Sequence, residues 1–161
     1  MKLTEIQTTV RDTLKAVPLF ANDLVVSDNG LQEDEMNAAL NGRGFCIAVS
    51  PILHGGATVD AQGHSVNPGG TAALLTARLV ASVRVNVTRN AAQKSDTDPG
   101  GANIDPLEAV ATVIRAVLAW ANKNNPTEKR FEVDGDGALT LAADDPGVLT
   151  WDIRFKKTAT A

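Results

Sequence analysis

The sequence predicts an α+β fold, in which a mainly antiparallel sheet is covered by two principal helices and long polar loops extend from the body. Residues 78–89 and 148–155 alternate apolar and polar side chains, as strands with one buried face do. Residues 4–16 and the segment from Pro106 onward repeat apolar side chains at helical spacing. Because the strands follow one another along the chain, we expect an antiparallel sheet with its helices on one face.

The N-terminal part is predicted to contain a helix, a short strand, an acidic helix and a buried strand, over residues 4–16, 24–26, 33–40 and 45–49. The first helix follows from the apolar stripe of Ile6, Val10 and Leu14. The acidic start at Glu33 suits a helix N-terminus. The last of the four, from Phe45 to Val49, is a continuous apolar run, which is typical of a buried strand.

Two polar segments interrupt the middle of the chain. Residues 54–70 have glycines at both ends and predict either a long loop or a loosely ordered hairpin arm. Residues 90–103 lack periodicity and predict an exposed loop.

The C-terminal part begins with the longest predicted helix. Asp105 suits its N-cap and Pro106 its first position, and the helix ends before Asn124. Strands over 131–133, 138–141 and 148–155 follow, separated by Asp-Gly and Pro-Gly turn sequences.

Composition indicates one globular domain over residues 1–161, with a flexible tail at 157–161. The chain is 43% hydrophobic and 21% charged, which suffices for one core. The single cysteine, Cys46, excludes an internal disulfide and fits assembly in a reducing cytoplasm. No apolar run is long enough to cross a bilayer and no signal-peptide pattern opens the chain, so we expect no membrane partner.

Charge and aromatic content disfavour nucleic-acid binding. The formal net charge is -4, and aromatic residues make up only 4% of the chain. Such a chain has neither the positive field that holds phosphates nor the stacking platforms that hold bases.

No residue set predicts catalysis or a cofactor. Cys46 with His54 or His64 would need an exposed thiolate, but Cys46 lies in an apolar strand and is interpreted as a buried packing residue. The two histidines have no carboxylate or thiolate cluster at metal-ligand spacing, and we interpret them as solvated loop residues.

Two further motifs are interpreted as structural. The Asp-Gly repeat at 134–137 lacks the closing glutamate of a calcium loop and predicts a tight turn. Gly100-Gly101 precedes a helix, but Asp96, Asp98 and Asp105 would repel a phosphate there. We therefore assign no cofactor and no metal.

A row of arginines, Arg78, Arg84 and Arg89, has two interpretations. The row contacts an acidic surface of a partner, or it is a solvated face of the sheet. The sequence leaves both open.

The order of elements resembles the tail terminator and tail-completion, or head–tail joining, proteins of tailed bacteriophages and prophages. The resemblance covers nearly the whole chain. It rests on the N-terminal helix ending near Pro18, on the acidic helix that leads through 39–44 into strand 45–49, on the strand from Val83 to Asn90, on the helix start at 105–110 and on a closing strand pair with Trp151.

The resemblance implies a virion structural protein without catalytic residues. Members form a ring, usually a hexamer, that caps the tail tube, stops its growth and docks to the head connector in the neck, with DNA passing through the lumen. The implied partners are other copies of the chain and the tube and connector proteins.

We expect the 54–70 arm and the 91–104 loop to make the assembly contacts, because both are too polar and glycine-rich for a core. The candidate contact residues are His54, Gly55, Gly56, Gln62, His64, Arg84, Arg89, Lys94, Asp96 and Asp98. Two alternatives stay open: another neck or head–tail adaptor subunit of the same particle, and a small hydrolase.

Overall fold

The computed structural model describes residues 1–51, 54–57, 74–90, 100–135, 138–145 and 147–160. Within these ranges the α-helices are α1 (Ile6–Lys15), α2 (Glu33–Gly42) and α3 (Pro106–Ala119). The strands are β1 (Leu24–Ser27), β2 (Phe45–Val49), β3 (His54–Ala57), β4 (Leu74–Asn86), β5 (Glu132–Val133), β6 (Leu139–Asp145) and β7 (Val148–Thr160). Short 3₁₀ turns at Leu3–Glu5 and Pro18–Phe20 flank α1.

The strands form one sheet in the order β1-β2-β4-β7-β5, with β3 also paired to β4 and β6 to β7. All pairs are antiparallel except β1 with β2, which are parallel and are connected through α2. The predicted α+β class with a mainly antiparallel sheet is confirmed.

The centre of the sheet is a long ladder of two strands. Strands β4 and β7 have 13 residues each and pair along their whole length. On the other flank of β4, β2 pairs with residues 81–85 and β3 with residues 75–78. On the other flank of β7, β5 and β6 lie one after the other. The ladder is therefore supported on both sides.

Helices cover both faces of the sheet. The main core joins α1 and α3 to one face, with buried side chains that include Ile6, Val10, Leu14, Phe45, Ile47, Leu79, Val83, Val113, Val117, Ile153 and Phe155. Helix α2 lies on the opposite face, where Met36 and Leu40 pack on Cys46 and Ala48. The expectation of helices on one face therefore holds for α1 and α3, but not for α2. The reason is that β2 is buried on both faces, as its unbroken apolar run indicates.

Strand ends differ from those predicted. Strand β4 ends at Asn86, and Arg89 lies in the following turn. Residues 157–160, predicted to be a flexible tail, continue β7 and pair with residues 74–77. The prediction was wrong because the alternating pattern there continues with a lysine and an alanine, Lys157 and Ala159, at the buried positions.

The N-cap of α3 is as predicted. A side-chain oxygen of Asp105 accepts hydrogen bonds from the backbone N–H groups of Leu107, at 2.8 Å, and Glu108, at 3.0 Å. These bonds satisfy two amide donors that a helix leaves unpaired. None of the described helices is long and apolar enough to cross a membrane.

Candidate assembly surface

One predicted contact segment, residues 54–70, begins in β3, beside the N-terminal end of β4. His54, Gly55 and Gly56 lie in β3, whose backbone pairs with residues 76–78 of β4. Gln62 and His64 lie outside the described residues. The start of the 54–70 segment is thus part of the sheet.

The other predicted segment, residues 91–104, follows the opposite end of β4. Asn90, just before this segment, is hydrogen-bonded to Ile104 at the segment's end. The side-chain amide of buried Asn90 donates to the carbonyl of Ile104, at 2.6 Å, and its oxygen accepts from the backbone N–H of Ile104, at 3.0 Å. Lys94, Asp96 and Asp98 lie outside the described residues. The loop therefore begins and ends at a buried, hydrogen-bonded pair.

Arg84 lies on the α2 side of the sheet. It is half-buried, and its Nη1 contacts the Sδ of Met36 at 3.7 Å. It opens onto a cavity of about 280 Å³ lined by Asp28, Gly30, Glu33, Met36, Asn37 and Arg84. Arg84 is thus accessible from the acidic start of α2.

The other two arginines each have a partner within the chain. The Nε of Arg78 pairs with the carboxylate of Asp134 at 3.1 Å. The Nε of Arg89 donates to the backbone carbonyl of Asn41 at 2.9 Å, which ties the turn after β4 to the end of α2. Arg78 and Arg84 thus lie on the same face of β4, opposite its buried residues, and Arg89 lies in the turn that follows the strand. Whether they contact a partner stays a prediction.

Cys46 is a packing residue in this structure. Its side chain is fully buried between β2 and α2. Burial raises the pKa of the Cys46 thiol to about 11, and the charge of Arg84 only partly opposes this. The thiol therefore stays protonated at neutral pH. Within the described ranges, no three His, Cys, Asp or Glu side chains gather as metal ligands.

A buried ionic cluster was missed by the sequence analysis. The Nζ of Lys157 lies 3.0 Å from Oε1 of Glu128, and the amino group of Met1 lies 2.8 Å from the same oxygen. Lys157 also lies over the rings of Trp120 and Phe131, at 4.9 and 5.2 Å from their centroids. The available signal was the alternation of β7, which places residue 157 on the core face after Ile153 and Phe155.

The pKa of Glu128 reflects this cluster. Burial alone would raise it, but hydrogen bonds from the Met1 amino group, Asn122 and Lys157, together with the Lys157 charge, lower it to about 2. The carboxylate is therefore ionised across the physiological range.

One solved structure that is similar to this chain comes from a virus-like particle. A chain from the virion of a native gene transfer agent (GTA) particle superposes on this one with a TM-score of 0.47 and 16% sequence identity, over 97% of this chain and 95% of that chain. No family model and no curated protein matches the sequence. The functional proposal therefore rests on the residues described above.

Proposed function

We propose that this chain is a structural subunit of a tailed phage or phage-like particle, and that it acts as a tail terminator without catalytic activity. In this role it forms a ring at the neck of the virion that caps the tail tube and docks to the head connector. The order of elements along the sequence supports the family, and the position of the two predicted contact segments supports the role.

The observation that carries the proposal is that these segments start from opposite ends of one rigid ladder. Strand β4 has 13 residues, so its ends lie about 40 Å apart. The 58–73 segment joins β3 to β4 at one end, and the 91–99 segment follows Asn90 at the other. A subunit that joins a tube to a connector needs contacts on two opposite sides, and segments anchored at opposite ends of β4 suit that need.

The ends of both segments are held in place by the sheet. At one end, β3 and β7 flank β4, and the backbone N–H of Thr160 donates to the carbonyl of Met1 at 3.1 Å. At the other end, Asn90 holds Ile104, and the N–H of Ala102 donates to the carbonyl of Arg43 at 2.8 Å. Such support reduces the conformational entropy lost when partners bind.

The test replaces each segment with a Gly-Ser sequence of equal length, 58–73 in one variant and 91–99 in the other. We expect one variant to lose binding to the tail-tube protein of the particle and the other to lose binding to its connector protein, each by at least tenfold in a pull-down titration. Lys15→Ser, on the exposed side of α1, is the surface control. Circular dichroism checks that each variant folds.

Three results separate the alternatives. If the wild-type chain binds the connector but not the tube, it is a different neck adaptor. If it binds neither, the proposed function is wrong. If both replacements leave both affinities unchanged, the contacts lie elsewhere on the subunit.

A further inference from the structure

Exposed charges of opposite sign lie in the two segments that adjoin the end strands of the sheet. Strands β1 and β5 are the end strands of the sheet order. Residues 28–35, which follow β1 and begin α2, are called the acidic edge here. Residues 123–130, which precede β5, are called the basic edge.

The acidic edge presents free carboxylates. Glu33, Asp34 and Glu35 are exposed, and none of them has a cationic partner in the part of the chain that the structure describes. The sequence from Asp28 to Gly42 contains no lysine or arginine to neutralise them.

The acidic edge also presents an apolar side chain on an ordered loop. Leu31 is 87% exposed. Hydrogen bonds hold the loop around it: the Gly30 N–H donates to Asp28 Oδ1 at 2.9 Å, and the Asn29 N–H donates to Gln32 Oε1 at 2.9 Å. An exposed leucine on a preorganised loop loses little entropy when it is buried by a partner.

The basic edge presents free cations. Lys123, Lys129 and Arg130 are exposed, and none of their side chains is ion-paired among the described residues. The neighbouring glutamates are already engaged, since Glu128 pairs with Lys157 and Glu132 pairs with Lys156 at 3.4 Å.

Two exposed leucines lie on the same flank of β7 as the strand that follows the basic edge. Leu139 and Leu141 of β6, which follows β5 along the same flank of β7, are 47% and 58% exposed. They pair with Ile153 and Trp151, so they project from the core face of the sheet.

We propose that the acidic edge of one copy docks on the basic edge of a second copy, with Leu31 packing against Leu139 and Leu141 on the same flank of the sheet. The contact uses two different surfaces, so it repeats head to tail and produces a ring where the rotation between copies closes. Closure into a ring rests on the proposed function, whereas the contact itself rests on the charge and exposure of the two edges.

Charge and apolar burial have separate roles in this contact. The carboxylates and cations select the partner edge and accelerate the encounter, so association weakens as salt rises. Burial of Leu31 slows dissociation, because desolvated apolar anchors supply most of the affinity of an interface.

Charge reversal tests the contact. The acidic-edge variant carries Glu33→Lys, Asp34→Lys and Glu35→Lys, and the basic-edge variant carries Lys123→Glu, Lys129→Glu and Arg130→Glu. Sedimentation velocity at low ionic strength measures self-association. We expect each variant alone to associate at least tenfold more weakly than the wild type. An equimolar mixture should regain association, because each reversed edge then faces an edge of opposite charge.

Two further variants complete the test. Lys15→Glu with Arg115→Glu reverses exposed charges away from both edges and should associate like the wild type. Leu31→Ser should weaken association at low and at high salt alike, since it removes apolar burial and no charge.

The inference is overturned if the wild type remains monomeric at the highest soluble concentration, if the reversals leave its association unchanged, or if the mixture does not recover. Its failure is distinct from failure of the proposed function. Tube and connector binding is measured with separate proteins, and it can persist when the two edges do not pair.

Discussion

At the scale of single residues, the buried cluster around Glu128 connects three distant parts of the chain. It joins the N-terminus, the segment after α3 and the C-terminal end of β7. Removing charges from water is costly, and one carboxylate between two cations offsets part of that cost. The Lys157 side chain also donates to the backbone carbonyl of Lys129 and lies over two aromatic rings. The cluster therefore makes the stability of the fold sensitive to acid.

Glu128→Gln tests this sensitivity. The pKa of Glu128 is lowered in the folded chain from its usual 4.5 to about 2, so its ionised form stabilises the fold. That stabilisation is fully present above pH 4.5 and disappears as the pH falls toward 2. We expect Glu128→Gln to lower the free energy of unfolding by on the order of 2 kcal/mol at pH 7, and the difference to vanish in acid.

Urea unfolding followed by tryptophan fluorescence, across this pH range, measures the difference. Glu132→Gln is the control, because Glu132 is exposed and its pair with Lys156 contributes little. A pH-independent difference between wild type and Glu128→Gln would contradict the assignment.

At the scale of elements, the tight joint between α2 and β2 also shapes the end of β4. Gly44 has φ +79°, and its carbonyl accepts the N–H of Asn86 at 2.9 Å. A Cβ at Gly44 would lie 2.5 Å from the backbone N of Asn90 and 2.7 Å from the backbone C of Arg89. Main-chain atoms cannot move away as a flexible side chain can, so this joint requires glycine.

Gly44→Ala and Gly30→Ala form a matched pair. Both glycines have a positive φ, of +79° and +81°, but a Cβ at Gly30 would meet nothing within 4 Å. Gly30→Ala should therefore cost only the conformational term, about 1 kcal/mol. Gly44→Ala should cost about 3 kcal/mol or more, since it adds a main-chain clash. Denaturant unfolding measures the loss in the free energy of unfolding for both variants. Equal losses would show that the backbone around Gly44 rearranges to accommodate a Cβ.

At the scale of the whole molecule, one main core links most elements. Side chains from α1, α3 and strands β1, β2, β4 and β7 meet in it, and the smaller cluster under α2 shares β2 with it. Because β2 and the β4–β7 ladder belong to one sheet, disruption of either face exposes the other. We expect the chain to unfold as a single cooperative unit.

The two tryptophans, Trp120 after α3 and Trp151 in β7, test this cooperativity. In Trp120→Phe and in Trp151→Phe, the remaining tryptophan fluorescence and the far-ultraviolet circular dichroism should share one urea midpoint. Midpoints that separate within either variant would indicate independently folding parts.

Some features of the fold could be predicted from particular residues, and others could not. Asp105 was recognisable as an N-cap because capping depends on chemistry within three residues. Strand β2 was recognisable because an unbroken apolar run indicates burial on both faces. The exact end of β4 and the continuation of β7 through residues 157–160 could not be predicted, because the length of a strand depends on which partner strand lies beside it. Of the candidate contact residues, the structure locates His54, Gly55, Gly56, Arg84 and Arg89, and their role in assembly stays a prediction.

The sequence by itself determined the α+β class and the order of the three helices and of strands β1, β2, β4, β5, β6 and β7, because these follow from local periodicity and capping. Only the tertiary structure decided that α2 covers the second face, that Lys157 meets Glu128 in the interior, and that exposed charges of opposite sign lie next to the two end strands of the sheet. These features depend on contacts between residues far apart in the chain, and local patterns carry no information about which distant surfaces meet.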